Sequence, residues 1–199
     1  MNLEIHNLTK RYQGRTVLRN FSLTLEEGKT YCLMAPSGCG KTTLFRLILG
    51  LEQPDSGSIE GVEGRRFGVV FQEDRLCEAY SPLENVMMTA DRMVTRSMAV
   101  RELSRLLPEE SVTRPVFTLS GGMKRRTAVC RALLAPCDIV LMDEPFAGLD
   151  EETRQEVIAW ILEKAAGKTV LISTHQEEDV EALGARLIRL RDAGETGQS

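Results

Sequence analysis

The stretch that most constrains this chain is the loop at residues 35–43, which reads Ala-Pro-Ser-Gly-Cys-Gly-Lys-Thr-Thr. It lies between the apolar run at 31–34 and the apolar-rich run at 44–49, so a strand, a tight glycine-containing loop and a helix are predicted. Such a loop can direct several backbone N–H groups and the positive end of the helix at one phosphate chain. The sequence therefore indicates a nucleotide phosphate site, the alternative being a solvated helix N-terminus.

The loop fits the P-loop pattern G-x-x-x-x-G-K-[ST] with one departure. Lys41 would reach the outer phosphates, and the Thr42 hydroxyl would bind Mg²⁺. Ala35 replaces the first glycine of the pattern. If position 35 needs a positive φ, alanine would be strained there by about 1 kcal/mol, which is enough to alter affinity but not to abolish binding.

Length and composition limit the alternatives. A chain of 199 residues suits one well-buried domain, or one domain with a small subdomain. The formal net charge of −4 gives no overall attraction to nucleic acid, so no nucleic-acid partner is expected. No apolar run approaches the roughly 18 residues of a membrane span, and the start resembles no signal or transit peptide, so we expect a cytoplasmic protein without a membrane span.

Five cysteines are present, but none forms a C-x-x-C pair or has a nearby histidine at zinc spacing, which argues against a structural metal site. We expect free thiols. Cys32, Cys130 and Cys137 lie among apolar neighbours and are predicted to be buried, whereas Cys39 lies in the phosphate loop.

The strand pattern predicts an α/β fold. Residues 2–8 and 21–25 alternate between apolar and polar, which is typical of half-exposed antiparallel strands. Later runs are apolar on both faces, as buried parallel strands are, and they lie at 30–34, 67–71, 138–144 and 169–174. Helical patterns separate these runs, so we expect a mostly parallel sheet whose carboxyl ends form one functional edge.

Residues 83–107 show helix-like spacings that interrupt this alternation. We interpret about 73–136 as a small inserted α-helical subdomain of a single domain spanning 1–199, with the core at 1–72 and 137–191 and a flexible tail at 192–199. Further helices are predicted at 153–166 and 176–183, and a short strand at 186–190.

Another helix is predicted to begin after Ser120, a good N-cap residue. Gly121 and Gly122 occupy its first turn, where each costs about 1 kcal/mol relative to alanine. This is either a poorly formed cap or a place where bare backbone N–H groups must approach an anion closely.

Six elements now follow one another along nearly the whole chain: the loop at 35–42, Gln72 after a strand, Leu-Ser-Gly-Gly at 119–122, the carboxylate-ended strand at 138–144, Gly-Leu-Asp at 148–150, and His175 after a strand. In this order they resemble the ATP-binding subunit of ABC transporters, with some similarity to the nitrate, sulfonate and taurine importer group. The resemblance implies a P-loop NTPase core that hydrolyses ATP.

The resemblance also implies residue roles. Glu144 would be the general base, and His175, Gln72 and Lys41 the other catalytic residues. Mg²⁺ would be held by Thr42 and Gln72, with Asp143 acting through water. The nucleotide would contact Tyr12, which stacks on adenine, and Ser37, Gly38, Cys39, Gly40, Lys41, Thr42, Thr43, Ser120, Gly121, Gly122 and Asp150.

Two partners are implied as well. The Ser120 helix would complete the ATP site of a second ATP-binding subunit, identical or different, with Asp150 crossing the interface, so a monomer would be nearly inactive. The segment from Arg75 to Val86 would receive the coupling helix of an integral membrane permease, which would hold the chain peripherally on the inner face of the cell membrane. The alternative for that segment is a plain helix start, with Ser81 as N-cap and Pro82 at the first position.

Other functions fit less well. A soluble ABC-type ATPase of a non-transport assembly complex is the main alternative, and a small-molecule P-loop kinase is disfavoured by the Ser120 helix and His175. Met123 and the pair Ala147-Gly148 depart from the family pattern without removing a group that does chemistry. The sequence leaves open the solute and the direction of transport.

Overall fold

The computed structural model describes residues 1–36, 38–190 and 196–198 and has an α/β architecture. The strands are β1 (Leu3–Tyr12), β2 (Arg15–Leu25), β3 (Thr30–Met34), β4 (Ser56–Glu60), β5 (Phe67–Val70), β6 (Ile139–Asp143), β7 (Thr169–Ser173), β8 (Arg186–Leu190) and β9 (Thr196–Gln198). The α-helices are α1 (Lys41–Ile48), α2 (Pro82–Met87), α3 (Arg96–Leu103), α4 (Gly121–Leu134), α5 (Glu151–Lys164) and α6 (Glu177–Ala182). The chain divides into two compact units, one of residues 1–65 with 167–199 and one of residues 66–166.

The first unit begins with an antiparallel sheet in the order β2-β1-β4. Leu3 pairs with Leu25 and Ile5 with Leu23, and these four side chains are buried while their sequence neighbours are more exposed. The alternation in the sequence therefore predicted both the strands and their antiparallel pairing.

The same unit contains a parallel set of strands. Strand β3 lies between β7 and β8 and runs parallel to both, with Leu33 opposite Ser173 and Ile188. All five residues of β7 are buried, as expected for a strand covered on both faces. Because β3 and β7 are parallel, the loops that follow them leave the sheet at the same edge, which is where residues 38–41 and His175 lie.

The second unit contains the parallel pair β5 and β6, with Val69 opposite Leu141, and helices α2 to α5. Every residue of β6 is buried. Helix α2 begins with a capping box, in which Ser81 Oγ accepts from the Glu84 N–H and the Glu84 carboxylate accepts from the Ser81 N–H. The predicted helical region at 83–107 contains two short helices, α2 and α3. The boundaries of the inserted subdomain, at about 73–136, stay a prediction.

Two boundaries differ from expectation. Helix α5 begins at Glu151 rather than at residue 153, because Asp150 caps it. Residues 196–198 of the predicted flexible tail form β9, which pairs antiparallel with β8, while residues 192–195 and 199 lie outside the described residues. Across the described ranges, no helix combines the length and apolar character needed to cross a membrane.

A buried carboxylate connects α3 to α5 within the second unit. Glu102 is 4% exposed, accepts a hydrogen bond from Trp160 Nε1 at 3.1 Å and lies 3.0 Å from Lys164 Nζ. Burial by itself would raise the pKa of Glu102, but the hydrogen bonds from Lys164 and Trp160 outweigh it and lower the pKa. The ionised form of Glu102 therefore stabilises the folded state.

Replacing Glu102 with glutamine should lower the free energy of unfolding at pH 7 by about 2 kcal/mol, since hydrogen bonds to a charged group are lost. The folded-state pKa lies below the ordinary value of 4.5, so this contribution is present above that pH and is lost as the pH falls through the folded-state pKa. Urea unfolding of wild type and variant from pH 7 downward measures the difference in their free energies of unfolding and shows whether that difference disappears at low pH.

Glu163→Gln is the matched control, because Glu163 also contacts Lys164 but is half exposed, so solvent screens its ion pairs. A smaller loss is expected for this variant. An equal loss in the two variants would contradict a special role for the buried carboxylate.

Candidate active site

The loop after β3 has the geometry of a phosphate cradle. Gly40 adopts φ 92° immediately before α1 and, as the N-cap residue, has no side chain with which to cap the helix. A Cβ at position 40 would lie 2.8 Å from Val17 Cγ1, so both the backbone and the packing require glycine there. The N-terminal turn of α1, with the positive end of the helix, therefore begins at this loop, as a phosphate site requires. Ser37 lies outside the described residues.

Ala35 does not strain this loop. Its backbone φ is not positive, and its side chain is buried at 8% exposure. The conditional expectation of strain at position 35 is therefore not met, because the backbone takes a conformation that alanine adopts freely. The departure from the P-loop pattern therefore adds no left-handed backbone strain at position 35.

Lys41 and His175 meet at this edge of the first unit. Lys41 Nζ donates to the Ala35 carbonyl at 2.9 Å and lies 3.2 Å from His175 Nε2. Lys41 is 7% exposed, whereas His175 is exposed. The parallel register of β3 and β7 explains why residues 134 positions apart come together, as the sequence predicted.

Tyr12 is held at the end of β1. Its hydroxyl donates to the Glu52 carboxylate, which also lies 2.9 Å from Arg46 Nε, and its side chain remains 39% exposed. Partial burial and the hydrogen bond to Glu52 raise the pKa of Tyr12, so the phenol stays neutral at physiological pH. Tyr12 therefore presents an anchored, partly exposed ring. Sequence reasoning missed Glu52, for which no local pattern exists.

Strand β6 delivers two carboxylates in the second unit. Asp143 ends the strand and is 3% exposed, while Glu144 is partly exposed and has φ 50°, in the left-handed region. A non-glycine residue in this region costs on the order of 1–3 kcal/mol, and such residues concentrate at functional sites. The Ala147 N–H donates to the Glu144 carbonyl at 3.2 Å, closing a turn. The backbone therefore departs from the extended strand conformation immediately after Asp143.

The helix after Ser120 forms as predicted. Ser120 Oγ accepts from the Met123 N–H at 3.3 Å. Gly121 is exposed, lacks a positive φ, and would accommodate a Cβ with nothing within 4 Å. Neither the backbone nor the packing of its own chain requires glycine at 121, so the energetic cost of that glycine needs another explanation. Ser120, Gly121 and Gly122 line one groove with residues 147–150.

Asp150 has a structural role that the sequence did not indicate. Its carboxylate accepts from the Thr153 N–H and from the Thr153 hydroxyl, both at 2.9 Å, and caps α5. These hydrogen bonds lower its pKa, so Asp150 is ionised at neutral pH. It remains at the rim of the groove, so capping does not remove it from a surface that a partner could reach.

The Gln72 side chain is exposed, and its backbone is held by α4. Arg125 Nη2 donates to the Gln72 carbonyl at 2.5 Å. A buried arginine bonded to a loop 53 positions earlier leaves no signal in the sequence pattern.

The five cysteines, all of which the structure describes, form no disulfide, as predicted. Cys32, Cys130 and Cys137 are buried, and Cys39 is partly exposed in the phosphate loop. Burial raises the pKa of Cys32 to about 12, so this thiol is inert at neutral pH.

A family profile described as an ABC transporter matches residues 18–147. This chain belongs to the ABC transporter family. It is 38% identical over 204 residues to the aliphatic sulfonates import ATP-binding protein SsuB 1 of Rhodococcus jostii (strain RHA1), covering 98% of this chain and 81% of that protein. It is 37% identical over 205 residues to the taurine import ATP-binding protein TauB of Roseobacter denitrificans (strain ATCC 33942 / OCh 114), covering 94% of this chain and 76% of that protein. Some other curated relatives are longer, and the chain spans 59% of one and 63% of another.

The dimeric structure of MJ0796, described as a bacterial ABC transporter cassette, has a TM-score of 0.85 to this ABC protein at 26% identity, covering 98% of both chains. A post-hydrolysis structure of the same cassette is also dimeric and contains ADP and Pi. The predicted P-loop NTPase fold is thereby confirmed. As a member of the ABC family, the chain is an ATPase that binds ATP with Mg²⁺.

Proposed function

We propose that this chain is one of two ATPase subunits that enclose ATP between them and power an importer through a separate membrane permease. The observation that supports this most directly is Gly121, which its own chain does not require and which lies in the groove with Asp150. A bare helix N-terminus at a groove suits the phosphates of a nucleotide bound by a second subunit. The importer assignment rests on the likeness to the sulfonate and taurine proteins.

In this proposal the family resemblance assigns each residue a role at the nucleotide. Lys41 and the N–H groups of residues 38–43 bind the phosphates, and His175 contacts the γ-phosphate. Tyr12 stacks on the adenine. Glu144 takes a proton from the attacking water, for which its carboxylate must come within about 3 Å of that water.

The donor atoms of the proposed metal site fit Mg²⁺. Thr42, Gln72 and Asp143 offer hydroxyl, amide and carboxylate oxygens, and Mg²⁺ is commonly bound by one or two carboxylates together with phosphate oxygens. Among the residues that the structure describes, no group of three or more His, Cys, Asp or Glu side chains is arranged to hold a metal. In this proposal, phosphate oxygens of the nucleotide would complete the Mg²⁺ shell. When bound, Mg²⁺ neutralises charge on the phosphate oxygens.

The segment from Arg75 to Val86 is the proposed contact with the permease. Tyr80 is 49% exposed there, just before the capping box at Ser81 that fixes the start of α2. Both the sequence resemblance and the presence of this exposed aromatic side chain support the assignment. Docking at this segment would keep the chain at the inner face of the membrane. The alternative of a non-transport assembly is not favoured by the transporter relatives.

Co-expression with the permease encoded nearest to this chain tests the proposal. We expect the permease to co-purify with the wild-type chain and to raise its ATP turnover, and Tyr80→Arg to reduce co-purification at least tenfold because a charge enters an apolar contact. Leu162→Arg is the control, since Leu162 is similarly exposed, at 41%, but lies in α5. Absence of any complex, or an equal loss in both variants, would contradict the docking assignment.

A further inference from the structure

The segment after β5 is held by hydrogen bonds from α4 to its backbone carbonyl groups. Carbonyl oxygens of residues 71, 72, 74 and 75 all accept hydrogen bonds from two arginines of α4. Arg131 donates to the Arg75 carbonyl at 2.8 Å and to the Asp74 carbonyl at 3.1 Å. Arg75 has φ 47°, and its guanidinium carbon lies 3.7 Å from the centroid of the Phe71 ring, so the segment curls back on itself. We call residues 71–75 the glutamine segment.

Arg125 makes the contacts nearest to Gln72. Its side chain is 8% exposed, Nη1 donates to the Phe71 carbonyl at 2.6 Å, and Nη2 donates to the Gln72 carbonyl at 2.5 Å. Its Nε lies 3.2 Å from Asp74 Oδ1, close enough for an ion pair although the geometry is not that of a hydrogen bond. One planar guanidinium therefore fixes two consecutive carbonyl groups and leaves the amide side chain of Gln72 unrestricted by this contact.

The same arginine lies close to the start of α4. Arg125 is the fifth residue of the helix that begins at Gly121, and it lines the groove with Ser120, Gly121 and Gly122. A helix moves as a rigid element over such a short distance, about 6 Å along its axis. A displacement of the glycine turn at the groove would therefore be transmitted to the backbone of Gln72.

We propose that Arg125 is a positioning residue that sets the placement of Gln72 for the metal and couples that placement to the N-terminal turn of α4. This inference rests on the proposed function, which assigns Gln72 to the Mg²⁺ shell. Arg125 itself touches neither metal nor nucleotide in this assignment. Its effect is exerted through the Phe71 and Gln72 carbonyl groups.

Arg125→Lys tests the proposal, because lysine keeps the positive charge but cannot hold two carbonyl groups with a planar fork. We expect the Mn²⁺ affinity of the ATP-bound protein, measured by electron paramagnetic resonance, to fall about tenfold, as for other residues that orient metal ligands. The Mg²⁺ concentration for half-maximal turnover should rise by a similar factor. Binding of ATP without metal should be unchanged. If the lysine variant does not accumulate, Arg125→Gln replaces it.

Arg126→Lys is the matched control. Arg126 is the next residue of α4 and also donates to backbone carbonyl groups, but these belong to Leu106 and Gly122 rather than to the glutamine segment. Its Mn²⁺ affinity should match wild type even if its thermal stability falls. An equal loss of Mn²⁺ affinity in both variants would show that Arg125 acts only on the stability of α4 and would overturn the inference.

The Gln72→Ala variant separates this inference from the proposed function. If Gln72→Ala weakens Mn²⁺ binding and Arg125→Lys does not, the inference is overturned while the role of Gln72 stands. If Gln72→Ala binds Mn²⁺ like wild type, the assignment of Gln72 fails and the inference falls with it. If both weaken binding, the double variant should be no weaker than Gln72→Ala alone, because Arg125 acts through Gln72, and additive losses would overturn the inference.

Discussion

Glu144→Gln should reduce steady-state ATP turnover by about 100- to 10,000-fold, the usual contribution of a general base. The amide has nearly the shape of the carboxylate but cannot take a proton from water. Glu144 has φ 50°, and glutamine would have the same backbone strain there as glutamate, so the fold should be preserved. Phosphate release under saturating ATP and Mg²⁺ measures the loss.

The same variant should accumulate as an ATP-bound dimer. If ATP holds two subunits together and hydrolysis separates them, blocking hydrolysis shifts the equilibrium towards the dimer by mass action. Size-exclusion chromatography should then show a dimer with ATP and Mg²⁺ and a monomer without nucleotide. Glu152→Gln, an exposed carboxylate in the first turn of α5, is the control and should retain turnover. Wild-type turnover in Glu144→Gln would remove the assignment of the base.

Mixing two inactive variants should restore turnover if each ATP site is shared between subunits. Lys41→Ala removes the phosphate-binding ammonium, and Gly121→Asp places a carboxylate where the partner's phosphates would approach. Each variant alone should lose about 100-fold or more in turnover, because charge stabilisation in the site is lost or opposed. A mixture would contain heterodimers in which one site has an intact Lys41 and an intact Gly121.

For identical subunits in equal amounts, half of the dimers are mixed and each has one intact site of two. Turnover should therefore recover to about a quarter of wild type. Gly121→Asp should fold normally, since a Cβ at 121 meets nothing within 4 Å and an acidic side chain in the first turn of a helix is favourable. Its unfolding temperature, measured separately, checks that assumption.

The control mixture combines Lys41→Ala with Thr42→Ala. Both changes lie in the same half of the site, so no combination of subunits contains an intact site and turnover should stay low. If the Lys41→Ala and Gly121→Asp mixture is equally inactive, an ATP site shared between identical subunits is contradicted. If Gly121→Asp alone retains full turnover, the glycine turn has no part in the reaction.

Much of the fold follows from local patterns. The alternation at 2–8 and 21–25 predicted antiparallel strands, and the doubly apolar runs predicted β3, β5, β6 and β7 within one or two residues. These patterns are readable because burial of one face or of both faces imposes its period directly on consecutive residues. Ser120 was identified as a cap for the same reason, since capping involves residues only three positions apart.

The candidate site was predicted less completely. Lys41 and His175 could be placed at one edge because parallel strands align their carboxyl ends. The hydrogen bond from Tyr12 to Glu52 could not be predicted, and neither could the two hydrogen bonds from the Arg125 guanidinium to carbonyl groups of the glutamine segment. These contacts join residues 40 to 54 positions apart, and no periodicity specifies which side chain lies opposite which carbonyl.

The sequence by itself determined the order of the elements, the phosphate loop and the glycine turn after Ser120. Only the tertiary structure decided that Ala35 is unstrained, that Glu144 takes a left-handed backbone and that Arg125 holds the carbonyl group of Gln72. The physical reason is that a dihedral angle or a long-range hydrogen bond is selected by the packing of the whole surrounding structure. The residue types alone leave several such arrangements open.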